Sequence, residues 1–175
     1  MTRKIIFGFG SLIEEESLRA TAPKATNIRP AYIKGFRRDF SLWDPLGYTE
    51  TNLDLADIPF CSLDIQRTPD PKARVNGIVF TVSGQDFELL LIREKEYNLV
   101  ETTAYDFRTD KAIGACEVFS SGKNNASFDF DSAPQLRYLA NYLRAAKQFG
   151  NEFYQEILGT TFIGRKPLLD FPQLI

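Results

Sequence analysis

Apolar and polar positions along this chain change period several times, and the changes mark out its elements. Lys4 to Phe9 (KIIFGF) is an apolar run closing on glycine and phenylalanine, the pattern of a buried strand. Glu14 to Glu16 then lead into Ser17-Leu18-Arg19-Ala20. Carboxylates in a first turn face the positive end of a helix, so a helix is predicted here, stopped by Pro23. From Ile28 to Trp43 the pattern is extended. Alternation puts Phe36, Arg38, Phe40 and Leu42 on one face and Arg37, Asp39, Ser41 and Trp43 on the other. Asp44 to Pro59 gathers the turn formers Pro45, Gly47 and Asn52 and reads as a long loop, of a length that is often functional or mobile.

Phe60 to Gln66 and Val75 to Val82 read as strands separated by the turn Thr68-Pro69-Asp70-Pro71. Ser83 is placed to cap a short helix, Gln85 to Arg93. Leu99 to Phe107 and Ala112 to Phe119 are two further strands, with a turn at Thr109-Asp110. Ser121 to Ser132 is polar and loop-like. Pro134 then opens the longest helix, running to about Gln148 with Leu136, Leu139, Ala140 and Leu143 as its apolar stripe, and Gly150 ends it. A last helix runs from Asn151 through Leu158, and the tail after Gly159 is irregular. No internal repeat, linker or composition break interrupts residues 1–175, so one domain is expected. About six strands in hairpin-like succession, with helices inserted and appended, make an α+β fold rather than a βαβ alternation.

Composition narrows the chemistry. The chain has 175 residues, 43% hydrophobic and 25% charged, the balance of an ordinary globular protein. A net charge of −2 without a concentrated basic face disfavours nucleic-acid binding. No apolar stretch approaches a membrane span, and Met1-Thr2-Arg3-Lys4 runs into the first strand without a signal-peptide pattern, so the expected compartment is the cytoplasm. The sequence has no histidine, which excludes Ser-His-Asp and Cys-His pairs and His-ligated metals within this chain. Two cysteines, Cys61 and Cys116, are too few for a zinc site or a disulfide framework. If the protein is an enzyme, its acid–base chemistry has to come from Asp, Glu, Lys, Tyr or Cys.

Two constellations carry candidate chemistry. In Phe7-Gly8-Phe9-Gly10-Ser11-Leu12 a strand ends in a Gly-Ser turn ahead of a helix. Successive N–H groups in such a turn can converge on one anionic oxygen, a carboxylate or a developing oxyanion. The same pattern also serves as a plain strand-to-helix turn. The second constellation, Arg93-Glu94-Lys95-Glu96-Tyr97, follows the short helix. Read bare, it is a charged helix end facing solvent.

Phe7 to Leu12 resembles the FGYGSL or AYGSN signature of the γ-glutamyl cyclotransferases and their ChaC-type relatives, with Phe9 in place of the tyrosine. Arg93 to Tyr97 is similar to the REKGGY segment of the ChaC branch, and Gly77-Ile78-Val79-Phe80 matches the preceding Gly-Val-Tyr/Phe strand. Leu91 stands where Asp is common, and Tyr97 lies one residue closer than usual. Ala133 to Leu139 resembles the late segment in which a proline precedes a tyrosine at the start of the long helix. The resemblance spans Ile5 to about Leu158.

It implies a small mixed β-barrel with flanking helices. It implies an enzyme that, with no metal and no cofactor, releases 5-oxoproline from a small γ-glutamyl substrate: a γ-glutamyl amine, a γ-glutamyl amino acid or glutathione. Glu94 would be the general base and acid, with Glu96 the rival assignment. Phe7, Gly8, Phe9, Gly10, Ser11, Leu12 and Tyr138 would bind the substrate. Arginine in Gly35 to Phe40 could meet a substrate carboxylate, although surface charge is the commoner explanation of Arg37 and Arg38. A module that binds such ligands without turnover, pointed to by Phe9 and Leu91, and an amide hydrolase using water are the other readings. Neither oligomeric state nor the leaving amine is readable from the sequence.

Overall fold

The computed structural model describes residues 3–44 and 60–175. Seven strands of six residues or more lie among them: β1 (Arg3–Gly8), β2 (Thr26–Lys34), β3 (Phe36–Asp44), β4 (Phe60–Arg67), β5 (Arg74–Ser83), β6 (Asn98–Asp106) and β7 (Ala112–Ser120). Two short strands follow, β8 (Thr161–Ile163) and β9 (Lys166–Pro167). The helices are α1 (Glu15–Thr21), α2 (Gln85–Arg93), α3 (Ala133–Lys147) and α4 (Asn151–Thr160).

Five strands close a barrel in the order β1-β5-β2-β6-β7. Its pairs are antiparallel except the one that closes it, where β1 runs parallel to β7 and Ile6 faces Glu117. The remaining strands make a second sheet, β4-β3-β8-β9. The α+β class and the barrel agree with the sequence reading. The single extended run from Ile28 to Trp43 is two strands, because Gly35 sits at φ +75 and carries the chain from the barrel into the second sheet. Its N–H bonds Ala73 O and its carbonyl accepts from Thr68 N, so the kink is tied to the turn between β4 and β5.

Close approach explains another glycine. A Cβ on Gly77 would lie 2.2 Å from the Gly8 carbonyl oxygen. Here β5 and β1 cross at a separation that admits no side chain.

The core is continuous, running from Ile6 and Phe7 through Phe36, Ile65 and Phe80 to Phe153 and Ile157. On β3 the alternation holds: Phe36, Arg38, Phe40 and Leu42 are all buried. Arg38 is fully buried, so surface charge does not explain it. Its five N–H donors are all used. Nε meets Thr161 Oγ1 at 2.9 Å, Nη1 meets Asn76 O (2.6 Å) and Phe9 O (3.3 Å), and Nη2 meets Asn76 Oδ1 and Thr160 Oγ1, each at 3.0 Å. Burial pulls this guanidinium below its usual pKa, with Tyr142 and Glu156 opposing the shift. Arg37 is the half-exposed one, paired with Asp39 at 2.8 Å.

Other sequence expectations change. Gly84, at φ +53, takes the position before α2, and Ser83 ends β5 without capping it. On α3 the buried face is Tyr138, Leu139, Tyr142, Leu143, Ala145 and Ala146, while Ala140 is exposed. Two tyrosines one turn apart, beside Leu139 and Leu143, carry that helix into the core. The tail after Gly159 is ordered: β8 adds to β3 in parallel, pairing Arg38 with Thr161. The predicted loop Asp44 to Pro59 lies, from residue 45 on, outside the described residues. Among the described residues no helix is long and apolar enough to cross a membrane.

Candidate functional site

The turn after β1 is built by close packing. A Cβ on Gly8 would come within 2.9 Å of Leu12 Cβ, because the chain folds back into a 3-10 turn, Ser11–Ile13. Ile13 N bonds Gly10 O and Glu14 N bonds Ser11 O. The N–H groups that begin such a turn have no acceptor within it and point outward from its start. Arg38 holds Phe9 O from beneath.

The second half comes from the end of α2. Glu94 is the residue after the helix; its N–H still bonds Leu90 O and its carbonyl accepts from Tyr97 N, both at 2.9 Å. This tight turn swings Glu94 and Tyr97 to the same side. Glu96, between them, is exposed and pairs with Lys123 at 3.2 Å.

Both halves meet in one cleft, lined by Phe7 to Leu12, Leu63, Glu94, Tyr97, Phe119 and Tyr138. Every residue assigned to the site from sequence is therefore on its wall, and Glu96 is not. The described walls enclose about 30 Å³, space for a water or two, so a larger ligand has to part them. Tyr97 and Tyr138 clasp one residue of β4: Tyr97 Oη donates to Leu63 O at 3.0 Å, and Leu63 N donates to Tyr138 Oη at 3.4 Å. Tyr138 also packs against Phe40 and Phe60. A side chain on Gly10 would enter the cleft 3.5 Å from Tyr138 Oη.

Arg93 ties the two halves together. Its Nε lies 3.2 Å from Glu94 Oε1, and both side chains are nearly buried. Its Nη2 donates to Ser11 Oγ (3.0 Å) and Ser17 Oγ (2.9 Å), and its Nη1 donates to Ser17 O (3.0 Å) and Thr21 Oγ1 (2.7 Å). One guanidinium thus fixes the carboxylate, the Gly-Ser turn and α1 relative to one another. Sequence reasoning gave Arg93 no role, although its place beside Glu94 was a signal. Leu63 and Phe119 enter from distant strands and carried no signal.

The arrangement offers a carboxylate and a backbone cradle on one cleft, with two tyrosines on its wall. Neither cysteine is a candidate nucleophile. Both are buried, and burial pushes each thiol up to about 12. Leu91 lies on the outer face of α2, away from the cleft, whereas Phe9 is part of its wall. Among the described residues no group of His, Cys, Asp and Glu is arranged to hold a metal ion.

No family model and no curated protein matches the sequence. Solved structures do match its fold. One is described as a γ-glutamyl cyclotransferase (TM-score 0.63, 18% identity, 89% of this chain and 86% of that one). A yeast γ-glutamyl cyclotransferase specific to glutathione matches at TM-score 0.61 and 15% identity, over 99% of this chain and 96% of that one. An uncharacterised human protein matches at TM-score 0.62 and 17% identity, over 89% and 86%. The likeness is one of fold, and the chain has the γ-glutamyl cyclotransferase-like architecture.

Proposed function

We propose that this protein, built on the γ-glutamyl cyclotransferase-like fold, is a γ-glutamyl cyclotransferase that releases 5-oxoproline and a free amine from a small γ-glutamyl substrate. The observation that carries the reading is the meeting of Glu94 and the Gly8–Leu12 backbone across one cleft. The substrate is a γ-glutamyl amine, a γ-glutamyl amino acid or glutathione.

The chemistry suits these groups. An α-amine is largely protonated at neutral pH and attacks only as the free base. Glu94 takes its proton. The amine nitrogen then attacks the substrate's own γ-carbonyl carbon, forming the lactam C–N bond and placing negative charge on the carbonyl oxygen. N–H groups of Gly10, Ser11 and Leu12 meet that charge. Collapse breaks the bond to the leaving amine, which receives the proton from Glu94, and the ring nitrogen, an NH2+ after attack, gives its remaining extra proton to the regenerated Glu94 carboxylate and on to solvent. Attack within one molecule makes orientation the main source of acceleration, a task for the narrow walls of Phe7, Phe9 and Tyr138.

Phe9 favours a second reading, a module that binds γ-glutamyl ligands without turnover, since a cleft-wall hydroxyl found in related signatures is absent. The deciding experiment measures 5-oxoproline release from glutathione, γ-glutamyl-alanine and γ-glutamyl amines by wild type, Glu94→Gln and Glu96→Gln. Turnover lost only in Glu94→Gln supports the enzyme. Calorimetric binding with no product from wild type supports the module, and glutamate in place of 5-oxoproline indicates hydrolysis.

A further inference from the structure

A groove lies on the face of β3 that Arg38 turns away from, lined by residues of β3, the end of β4, the 124–130 loop and the C-terminal segment. The register shift between Phe40 and Leu42 turns both Phe40 and Ser41 toward it. Its volume, about 770 Å³, is that of a small-molecule site.

Three observations define what it would hold. Ser41 is 3% exposed, yet its Oγ has no hydrogen-bond partner among the described residues. A buried hydroxyl ordinarily has one. Phe40, Phe128, Phe130 and Phe171 form a continuous aromatic wall, with successive centroids 5.0, 5.0 and 5.6 Å apart, and Phe130 is 43% exposed. A solvent-facing ring in such a row offers a flat surface for another ring. Charge on the lining is unequal: Arg37, Arg67 and Arg165 against Asp39. Arg37 is committed to Asp39 and Gly164 O. Arg67 stacks over Phe36 and gives Nη2 to Glu101 O at 3.2 Å. Arg165 is exposed and makes no ion pair among the described residues. Asp129, Asp131 and Asp170 adjoin the phenylalanines in sequence but do not line the groove.

We infer that this groove is a binding site for a small anion carrying a flat aromatic group. The anion lies toward Arg67 and Arg165, the ring lies on Phe128 and Phe130, and a hydrogen bond reaches Ser41. The site shares no catalytic group with the Glu94 cleft and stands independently of the reaction proposed there.

A pair of dyes isolates the charge. Fluorescence titration compares 1-anilinonaphthalene-8-sulfonate with uncharged N-phenyl-1-naphthylamine, on wild type, Arg165→Glu, Phe130→Ala, Ser41→Ala and Glu94→Gln. Arg165 and Phe130 are exposed, so those variants should keep the wild-type melting temperature, which is measured alongside. The expected result is one saturable site that prefers the sulfonate by about tenfold and weakens with added salt. Arg165→Glu and Phe130→Ala each reduce sulfonate affinity about tenfold or more, Ser41→Ala reduces it less, and Glu94→Gln leaves it unchanged. Equal affinity for the two dyes, no saturable binding, or indifference to both Arg165→Glu and Phe130→Ala overturns the inference. So does sedimentation equilibrium showing a dimer that the same substitutions dissociate, because the groove would then be covered by a second copy.

Discussion

Gln135 completes the backbone of Cys61. Its Oε1 accepts from Cys61 N at 2.8 Å and its Nε2 donates to Cys61 O at 2.9 Å, so a fully buried side chain on α3 takes the place of a strand neighbour beside β4. The pair sets α3 against β4, one turn before Tyr138 reaches the cleft. Gln135→Ala leaves both Cys61 groups buried without partners and opens a cavity, and the expected loss is about 3 kcal/mol by denaturant melting. In Gln135→Glu the ionised carboxylate can accept but cannot donate to Cys61 O. That variant should recover stability as pH falls and the new carboxyl gains a proton.

Arg93 is expected to govern turnover more than folding. Lysine retains the charge but not the fork that reaches Glu94, Ser11, Ser17 and Thr21 together. In the proposed reaction, Arg93→Lys should lower kcat for 5-oxoproline release by about a hundredfold, with a smaller change in KM, because small misplacements of the base proposed at Glu94 are costly. Ser17→Ala with Thr21→Val removes the side-chain contacts of Arg93 to α1 and leaves those to Glu94, Ser11 and Ser17 O. If Arg93 were merely a staple for α1, that double variant would show the same kinetic loss; it should instead keep most of kcat while its melting temperature falls.

At the base of the Gly-Ser turn, Arg38 makes a different demand. Arg38→Met strands the Phe9 and Asn76 carbonyls and the Asn76 amide oxygen in the interior, a cost of about 3 kcal/mol or more. Arg38→Lys should restore little of it, since an ammonium cannot span five acceptors. Thermal melting of the two variants checks this, and near-wild-type stability in Arg38→Lys would show that charge alone suffices.

Asp64 gives a pH dependence. It is fully buried on β4, where burial raises its pKa above the usual carboxylate value despite bonds from Ser121 N, Ser121 Oγ and Ile65 N. A raised folded-state pKa means that folding is favoured by protonation. The stability of wild type relative to Asp64→Asn should therefore increase as pH falls through the folded-state value, and level off below the unfolded one. Urea melts of both proteins at a series of pH values measure the difference.

What the sequence disclosed depended on range. The Gly-Ser turn and the end of α2 were readable because each is made by neighbouring residues, and their glycines and charges stand at fixed local spacings. Arg38 shows the opposite case. Alternation put it on one face with Phe36, Phe40 and Leu42, but its residue type argued for solvent, and only Phe9, Asn76, Thr160 and Thr161, supplied by distant elements, reconcile the two. Of the α3 stripe, Leu139 and Leu143 are buried and Leu136 partly so, while Ala140 is exposed because the buried face turns toward Tyr138 and Tyr142. β8 is too short to show a period, and its parallel pairing with β3 is a tertiary event. The meeting of Glu94 with the Gly-Ser turn came from family resemblance; nothing in local pattern places them together.

The parallel closure of β1 on β7 also imposes an order in time. β1 leaves the ribosome ahead of the other barrel strands, yet Ile6 and Phe7 wait for Glu117 and Val118 before the barrel can seal. Until then β1 has an unpaired edge, and the Gly-Ser turn has no opposite wall from Phe119 or Tyr138. Contacts so far apart in sequence make closure a slow step. The cleft is therefore among the last parts to mature, and a nascent chain stalled before β7 would carry an open barrel that exposes its own first strand to aggregation.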